Sequence, residues 1–302
     1  MLSTDPFETP LHLLDRARAK GAQPTAVAGA GSELVLNSVR KAHEAELVRP
    51  HLVGERDAIH AAAEKIGWDV GGFPVTDSGD EAETAALAVG LARAGEARLL
   101  MKGSVHTDAL MRAAVDRETG LRTDRRMSHV FGMAFPGHRR ILFITDAALN
   151  VAPGVDARLA ILRNAVGLLH GCGIHDPKAA VLSAVEVPSK AMPSSLEAAE
   201  IVARARDGEV EDAVIDGPVS LDLAVSAEAA AAKGFESPVA GAADLILVPN
   251  IETGNALFKS LVYFRSAVAA GVVLGATVPI VLTSRADPPE ARLAAVALAT
   301  MV

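Results

Sequence analysis

The sequence predicts an α/β protein with a doubly wound parallel sheet, on three observations. Apolar strand-like runs alternate with Ala-rich amphipathic segments along the whole chain. The strand runs are apolar on nearly every residue, which suits strands buried on both faces. Half of the residues are hydrophobic but only 3% are aromatic, so the core is built from Ala, Val, Leu and Ile, as where helices pack on a sheet. Alternation of the two element types implies βαβ units.

Taken in order, ELVLNSVRKAHEAELV (33–48) has helical spacing and leads into the strand RPHLVG (49–54). EAETAALAVGLARAG (81–95) is the next helix, with Ser78 and Glu81 as a capping box, followed by the strand EARLLMKG (96–103). RRILFITD (139–146), KAAVLSAVEV (178–187), EDAVIDGP (211–218), AADLILVPN (242–250) and VPIVLTS (278–284) are further strands. DARLAILRNAVGLLHG (156–171) and SLEAAEIVARARDG (195–208) are helices between them, the first with Asp156 as its N-cap. At 302 residues the chain has room for two domains or one large one.

Composition narrows the function classes. The net charge of −8 comes from 29 basic and 37 acidic residues mixed along the chain, with no basic block for nucleic acid or an anionic membrane. The single Cys172 excludes an intramolecular disulfide and a thiolate metal cluster. No apolar run approaches the ~20 residues that span a bilayer, and MLSTDPFETP at the N-terminus lacks a signal-peptide core. The expectation is a soluble, cytoplasmic chain.

Polar residues directly after a parallel strand lie at the carboxyl edge of the sheet, where ligand crevices form. Four turns have that layout. VPIVLTSRADPPEAR (278–292) places Ser284, Arg285 and Asp287 after a strand and before a helix. They either face a ligand or cap the helix, and a cap does not call for an Arg. MKGSVHTDALMRAAV (101–115) joins a strand to a helix through Gly103 and Ser104, whose backbone amides would suit an anion. Arg112 in that helix is either a clamp or a solvated side chain. ILVPNIETGNALFKS (246–260) opens a helix at Gly254 and Asn255, which are ligand contacts or turn residues. FITDAALNVAPGVDA (143–157) places Asp146 at a strand end. GAGSEL (29–34) departs from the dinucleotide fingerprint, with Leu34 at the third glycine position, and is a Gly-rich strand-to-helix turn. There is no P-loop, no G-x-S-x-G elbow, and no zinc spacing around His170 and His175.

From about Thr25 onward these segments, together with GLRTDRRMSHVFGM (120–133), AVLSAVEVPSKAMPSSLEAAE (180–200), DGPVSLDLAVS (216–226) and KGFESPVAGAADLILVPNIETGNALFKSLVYF (233–264), resemble in order the phosphate acetyl/butyryltransferase family, its butyryl-type branch most closely. The resemblance implies two α/β domains facing a cleft, similar to the isocitrate/isopropylmalate dehydrogenase architecture. Residues 1–139 with 276–302 would form one domain and 140–275 the other. It implies the reaction acyl-CoA + phosphate ⇌ acyl phosphate + CoA in a homodimer, with no metal and no cofactor beyond CoA as substrate. On the matching positions, Ser284 would donate to the oxyanion, Arg285 would hold the phosphate and Arg112 would be a second clamp. Gly103, Ser104, Thr107, Gly254 and Asn255 would contact substrate. Acetyl-type members carry a basic Asp seven residues beyond the Ser. Here that position is Ala291, so Asp287 is the substitute base, ahead of Glu290. The Ala291 departure leaves open a CoA- or phosphate-binding protein without chemistry. A β-decarboxylating dehydrogenase would need clustered metal-binding Asp residues and a nicotinamide loop, which the sequence lacks. One half of an enzyme elsewhere joined to a hydratase domain is a further alternative.

Overall fold

The computed structural model describes residues 3–284 and 286–302, and in it strands and helices alternate as the sequence predicts. Its first elements are α1 (Leu11–Ala19), β1 (Gln23–Ala28), α2 (Glu33–Glu44), β2 (Val48–Gly54), α3 (Arg56–Lys65), β3 (Val75–Asp77), α4 (Glu81–Arg93), β4 (Leu99–Lys102) and α5 (Thr107–Ala114). Then come β5 (Ser128–Ala134), β6 (Ile141–Thr145), α6 (Val155–Gly171), β7 (Lys178–Leu182), α7 (Pro193–Arg204), β8 (Val214–Val219), α8 (Leu221–Val225), α9 (Ala227–Ala232), β9 (Leu245–Leu247) and α10 (Ile251–Arg265). Finally β10 (Val268–Leu274), β11 (Ile280–Val281) and α11 (Pro289–Ala299) follow. These form two compact units. The terminal unit is Phe7–Met127 with Ala270–Val302; the middle unit is Ser128–Ala269 with residues up to Pro6.

In the terminal unit the strands lie in the order β3-β2-β1-β4-β11-β10. β3, β2, β1, β4 and β11 are parallel to one another, while β10 is antiparallel to β11. The chain runs outward from β1 to β3 and then returns to the other side of β1 with β4. Right-handed crossovers put that return helix on the opposite face of the sheet, which makes the unit doubly wound. Accordingly α2 packs with α3 and α11, while α4 packs with α5. α2 shows why such a segment is a helix: Ser32 caps it, accepting from the Val35 amide at 3.4 Å, and Val35, Leu36, Val39 and Ala42 bury one face. Each Val or Leu so covered contributes ~1.5–3 kcal/mol.

The middle unit orders its strands β5-β6-β9-β7-β8, all parallel except β5, which pairs antiparallel with β6. Its core includes Ile144, Ala180 and Ile246 from the strands, with Leu223, Val239 and the half-buried Leu257 and Leu261 around them. The units divide at 127/128 and 269/270, where the sequence reading set boundaries at 139/140 and 275/276. The hairpin register from Val130↔Thr145 to Ala134↔Ile141 holds β5 with β6 and so moves the first division upstream.

Three local expectations are corrected. Ser78 and Glu81 make no capping box: Asp80 caps α4, accepting from the Glu83 amide at 2.8 Å, and the Ser78 hydroxyl pairs with that of Thr84 at 2.7 Å. Asp156 does not cap α6, whose N-cap is Gly154; it binds Arg204 at 2.7 Å instead. The strand expected over 278–284 is only Ile280–Val281, because a polar turn replaces its last residues.

Candidate active site at the carboxyl edge of the terminal unit

The strand order of the terminal unit reverses between β1 and β4, and parallel sheets place ligands outside the carboxyl ends of strands at such a point. There the turns after β1 and β4 lock together. The amides of Gly103 and Ser104 donate to the carbonyls of Ala28 and Gly29, both at 2.8 Å. A Cβ on Gly103 would lie 2.3 Å from the Gly29 oxygen, so only glycine lets the two backbones approach. These amides are therefore occupied, and the anion cradle that the sequence reading placed on them is not available. The same lock brings the Ser104 hydroxyl to that of Ser32, to which it donates at 3.1 Å.

A cavity of about 460 Å³ opens beside this lock. Its walls are the start of α2 (Gly31, Ser32, Val35, Ser38), the end of β4 (Lys102, Gly103, Ser104), the end of β11 (Thr283, Ser284) and Arg292 of α11. Among the described residues its lining carries two cations and no carboxylate. Lys102 is 8% exposed and Arg292 6%, far below the ordinary exposure of such side chains. Lys102 is the last residue of β4, with its ammonium 3.3 Å from the Gly103 carbonyl. Arg292 donates to the Ser38 hydroxyl at 3.3 Å.

The turn after β11 is folded by its own polar groups. The Ser284 amide donates to Asp287 Oδ2 at 2.7 Å, the Asp287 amide to the Ser284 carbonyl at 3.2 Å, and the Ala286 amide to Ser284 Oγ at 3.3 Å. Asp287 is thus a brace of this turn and not the cap of α11, whose N-cap is Pro288. Burial pushes the Asp287 carboxyl above its ordinary value, opposed by the Ser284 amide and by the charges of Arg292 and Lys102. Arg285 lies outside the described residues. Ala291 is buried in α11, and Glu290 stands in that helix's first turn.

The other sequence candidates are not among the residues that line this cavity. Thr107 opens α5 in an exposed position. The Arg112 side chain is 83% exposed, 3.9 Å from Asp108. At the start of α5 the Glu81 carboxylate accepts from the His106 amide and meets His106 Nδ1 at 2.8 Å. That amide first, and the ring second, hold Glu81 below the usual carboxylate range. Gly254 and Asn255 belong to the middle unit, in the first turns of α10. A Cβ on Gly254 would meet Ala147 Cα at 2.8 Å, and Asn255 reaches the Ala147 carbonyl at 3.5 Å. Asn250 caps that helix from the Thr253 amide at 2.9 Å.

Also in the middle unit, Asp146 accepts from the amides of His129, Ala148 and Leu149 and from the Asn150 side chain, so it organises the turn after β6. Cys172 is the half-buried C-cap of α6 and does not line the cavity. Among the described residues no three His, Cys, Asp or Glu side chains gather around a metal position, and no helix is long and apolar enough to cross a membrane.

Lys102 and Arg292, which line the cavity nearly buried, were not among the sequence candidates. The signal for Lys102 was a lone charge closing an apolar strand; Arg292, inside an Ala-rich helix, gave none.

Comparison with known proteins adds the following. A family profile described as "Phosphate acetyl/butaryl transferase" matches residues 80–300. A phosphate acetyltransferase of Rhizobium meliloti is 45% identical over 289 residues, 96% of this chain and 92% of the relative. A phosphate butyryltransferase of Clostridium acetobutylicum is 40% identical over 290 residues, 96% of each. The crystal structure of a branched-chain phosphotransacylase from Enterococcus faecalis superposes with a TM-score of 0.80 at 32% identity, covering 92% of this chain and 99% of that one. A 4-hydroxythreonine-4-phosphate dehydrogenase from Burkholderia phymatum, 13% identical with a TM-score of 0.58 over 93% of this chain and 98% of that one, shares the fold alone.

Proposed function

The chain belongs to the phosphate acetyl/butyryltransferase family, and from that premise we propose that it exchanges a short acyl group between CoA and phosphate at the cavity where β1, β4 and β11 end. The observation that carries the placement is the convergence of Ser284, Ser104 and two near-buried cations on one cavity.

In the direction that consumes CoA, the thiol sulfur attacks the acyl phosphate carbonyl. The C–S bond forms, the C–O bond to phosphate breaks, and the thiol proton passes to Asp287. In reverse, a phosphate oxygen attacks the thioester and the departing thiolate recovers that proton. Both directions pass through a tetrahedral oxyanion that a placed donor stabilises. The Ser284 hydroxyl, whose oxygen accepts the Ala286 amide, keeps its own proton to donate there. A carboxyl with a raised proton affinity suits Asp287 to a thiol of pKa ~8.5. Arg285, next to Ser284, is assigned to the phosphate on the family motif. Phosphate is neutralised by side-chain cations in this scheme, so turnover needs no metal.

The two named relatives act on acetyl and butyryl groups, and the substrate proposed here is a linear acyl-CoA of two to four carbons. One methylene changes binding by only ~1–3 kcal/mol, so neighbouring lengths should overlap. The working form proposed is a cytoplasmic homodimer of 31.2 kDa chains. Thiol release from acetyl-, propionyl- and butyryl-CoA, with and without phosphate and with EDTA, tests the reading. Phosphate-dependent release that survives EDTA is the expected result. No release from any of the three would overturn the activity, and loss in EDTA restored by a divalent ion would overturn the metal-free scheme. Sedimentation at one chain mass would remove the dimer.

A further inference from the structure

Resting on the reading above, we infer that Lys102 and Arg292 together seat the phosphate group that exchanges with the thiol. Both side chains line the cavity that Ser284 lines, each from a different element: Lys102 from the end of β4, Arg292 from α11. Both are more than nine-tenths buried, so their charge acts through protein rather than through water and is weakly screened by salt. The wall beside them offers the hydroxyl of Ser32, whose oxygen accepts from Ser104 and from the Val35 amide and whose proton can turn to a phosphate oxygen, while Ser104 and Ser38 donate theirs to Ser32 and to the Leu34 carbonyl.

The size fits. About 460 Å³ corresponds to ~15 water volumes, room for a phosphate and the carbonyl it joins. The chemistry fits too. A guanidinium presents two parallel donors to an oxyanion and an ammonium adds a point charge, so the pair balances a dianion. Arg292 is held for this role by Ser38, to which it donates at 3.3 Å. Asp287 feels the charge of both cations, which places its carboxyl in the same electrostatic neighbourhood as the seat.

The phosphate could instead come from CoA, whose nucleotide end carries phosphates of its own, and the test separates these sources. Lys102→Gln and Arg292→Gln are assayed with inorganic phosphate against two thioesters, acyl-CoA and the corresponding acyl-pantetheine, which has no phosphate. The expected result is a rise in the phosphate KM of roughly 10- to 100-fold in each variant, with the KM of both thioesters within about twofold of the parent. Arg292→Lys should recover only part of the loss, since it restores charge without the fork. An unchanged phosphate KM overturns the inference. A raised acyl-CoA KM with an unchanged acyl-pantetheine KM also overturns it, by giving the seat to CoA. Should Lys102→Gln fail to fold, Arg292→Gln decides alone. Should the parent release no thiol, the proposed function falls, and titration calorimetry with inorganic phosphate still judges the seat. Heat of binding in the parent that disappears in Arg292→Gln sustains it, and equal or absent heat in both refutes it.

Discussion

After β9, Asn250 closes its turn by accepting from both the amide and the hydroxyl of Thr253, Gly254 lies against Ala147, and Asn255 reaches the Ala147 carbonyl. After β11, Thr283 and Ser284 open onto a cavity that Lys102 and Arg292 also line. Both turns follow one pattern, an apolar strand, a few polar residues and a helix. In the first, the polar groups are used to build the turn. In the second, backbone and carboxylate fold the turn, while Ser284 lines a cavity together with Lys102 and Arg292 from other elements. The pattern therefore marks where a site can be, and the side chains delivered by neighbouring elements single out the one proposed. The turn after β4 lies between these cases: its amides are spent on the lock with β1, and its Lys102 side chain is delivered to the cavity.

The contrast can be broken most directly at its two serine and asparagine positions. Ser284→Ala should lower kcat by roughly 10²–10³-fold with little change in KM, since the oxyanion exists only near the transition state. Asn255→Ala should leave turnover within about twofold, as it removes one 3.5 Å contact. Comparable losses in steady-state assays of both would erase the distinction.

Next in size is Asp287→Asn, expected to slow the CoA-consuming direction by roughly 10²-fold. Its stability effect has the opposite sign. Burial raises the folded pKa of Asp287 above the ordinary 3.8, so the folded chain holds this proton more tightly than the unfolded one. That contribution is fully present below the unfolded value and is lost as pH rises through the raised one. The variant should therefore match or exceed the parent's Tm at neutral pH while being the slower enzyme. A variant that is both fully active and less heat-stable would make the residue a turn brace and nothing more.

Gly103→Ala sharpens the comparison through stability alone. Its Cβ would meet backbone, the Gly29 oxygen at 2.3 Å, and should cost ~3 kcal/mol in urea unfolding. Gly254→Ala, facing the Ala147 side chain at 2.7 Å, should cost less. The reverse ranking would mean that the lock between β1 and β4 can give way. The smallest effect belongs to Cys172→Ser. Because CoA brings the reacting thiol, turnover should stay within about twofold. An acyl label trapped on Cys172 would replace the direct transfer with a covalent route.

Much of the fold was legible because periodicity is strong where helices are long. α2, α4, α6 and α7 were all foreseen within a few residues. The strands β1, β3, β5 and β10 were not. QPTAVA begins with polar residues and a proline, VTD is three residues long, and SHVFGMA and VAAGVVL mix glycine and alanine into patterns that do not separate strand from helix. Gly103, Ser104 and Ser284 of the cavity wall, and Asp287 in the turn beside it, were legible as positions because residues directly after a strand have a predictable place. Lys102 was hidden in a run counted as apolar. Arg292 was hidden in a helix whose packing on α2, and hence the burial of its guanidinium, depends on residues 250 positions away.

The order β1-β4-β11 also has a consequence in time. β4 has β1 on one side and β11 on the other, and β11 is made only after the whole middle unit. At ~5–20 residues per second of synthesis, the apolar edge Leu99–Lys102 waits roughly 10–35 s for its second partner. Until then it is an open strand edge of the kind that seeks other chains. The wait also defers the proposed site, because Thr283, Ser284 and Arg292 of its cavity wall are all made after the middle unit. A chain halted before them lacks that wall of the cavity.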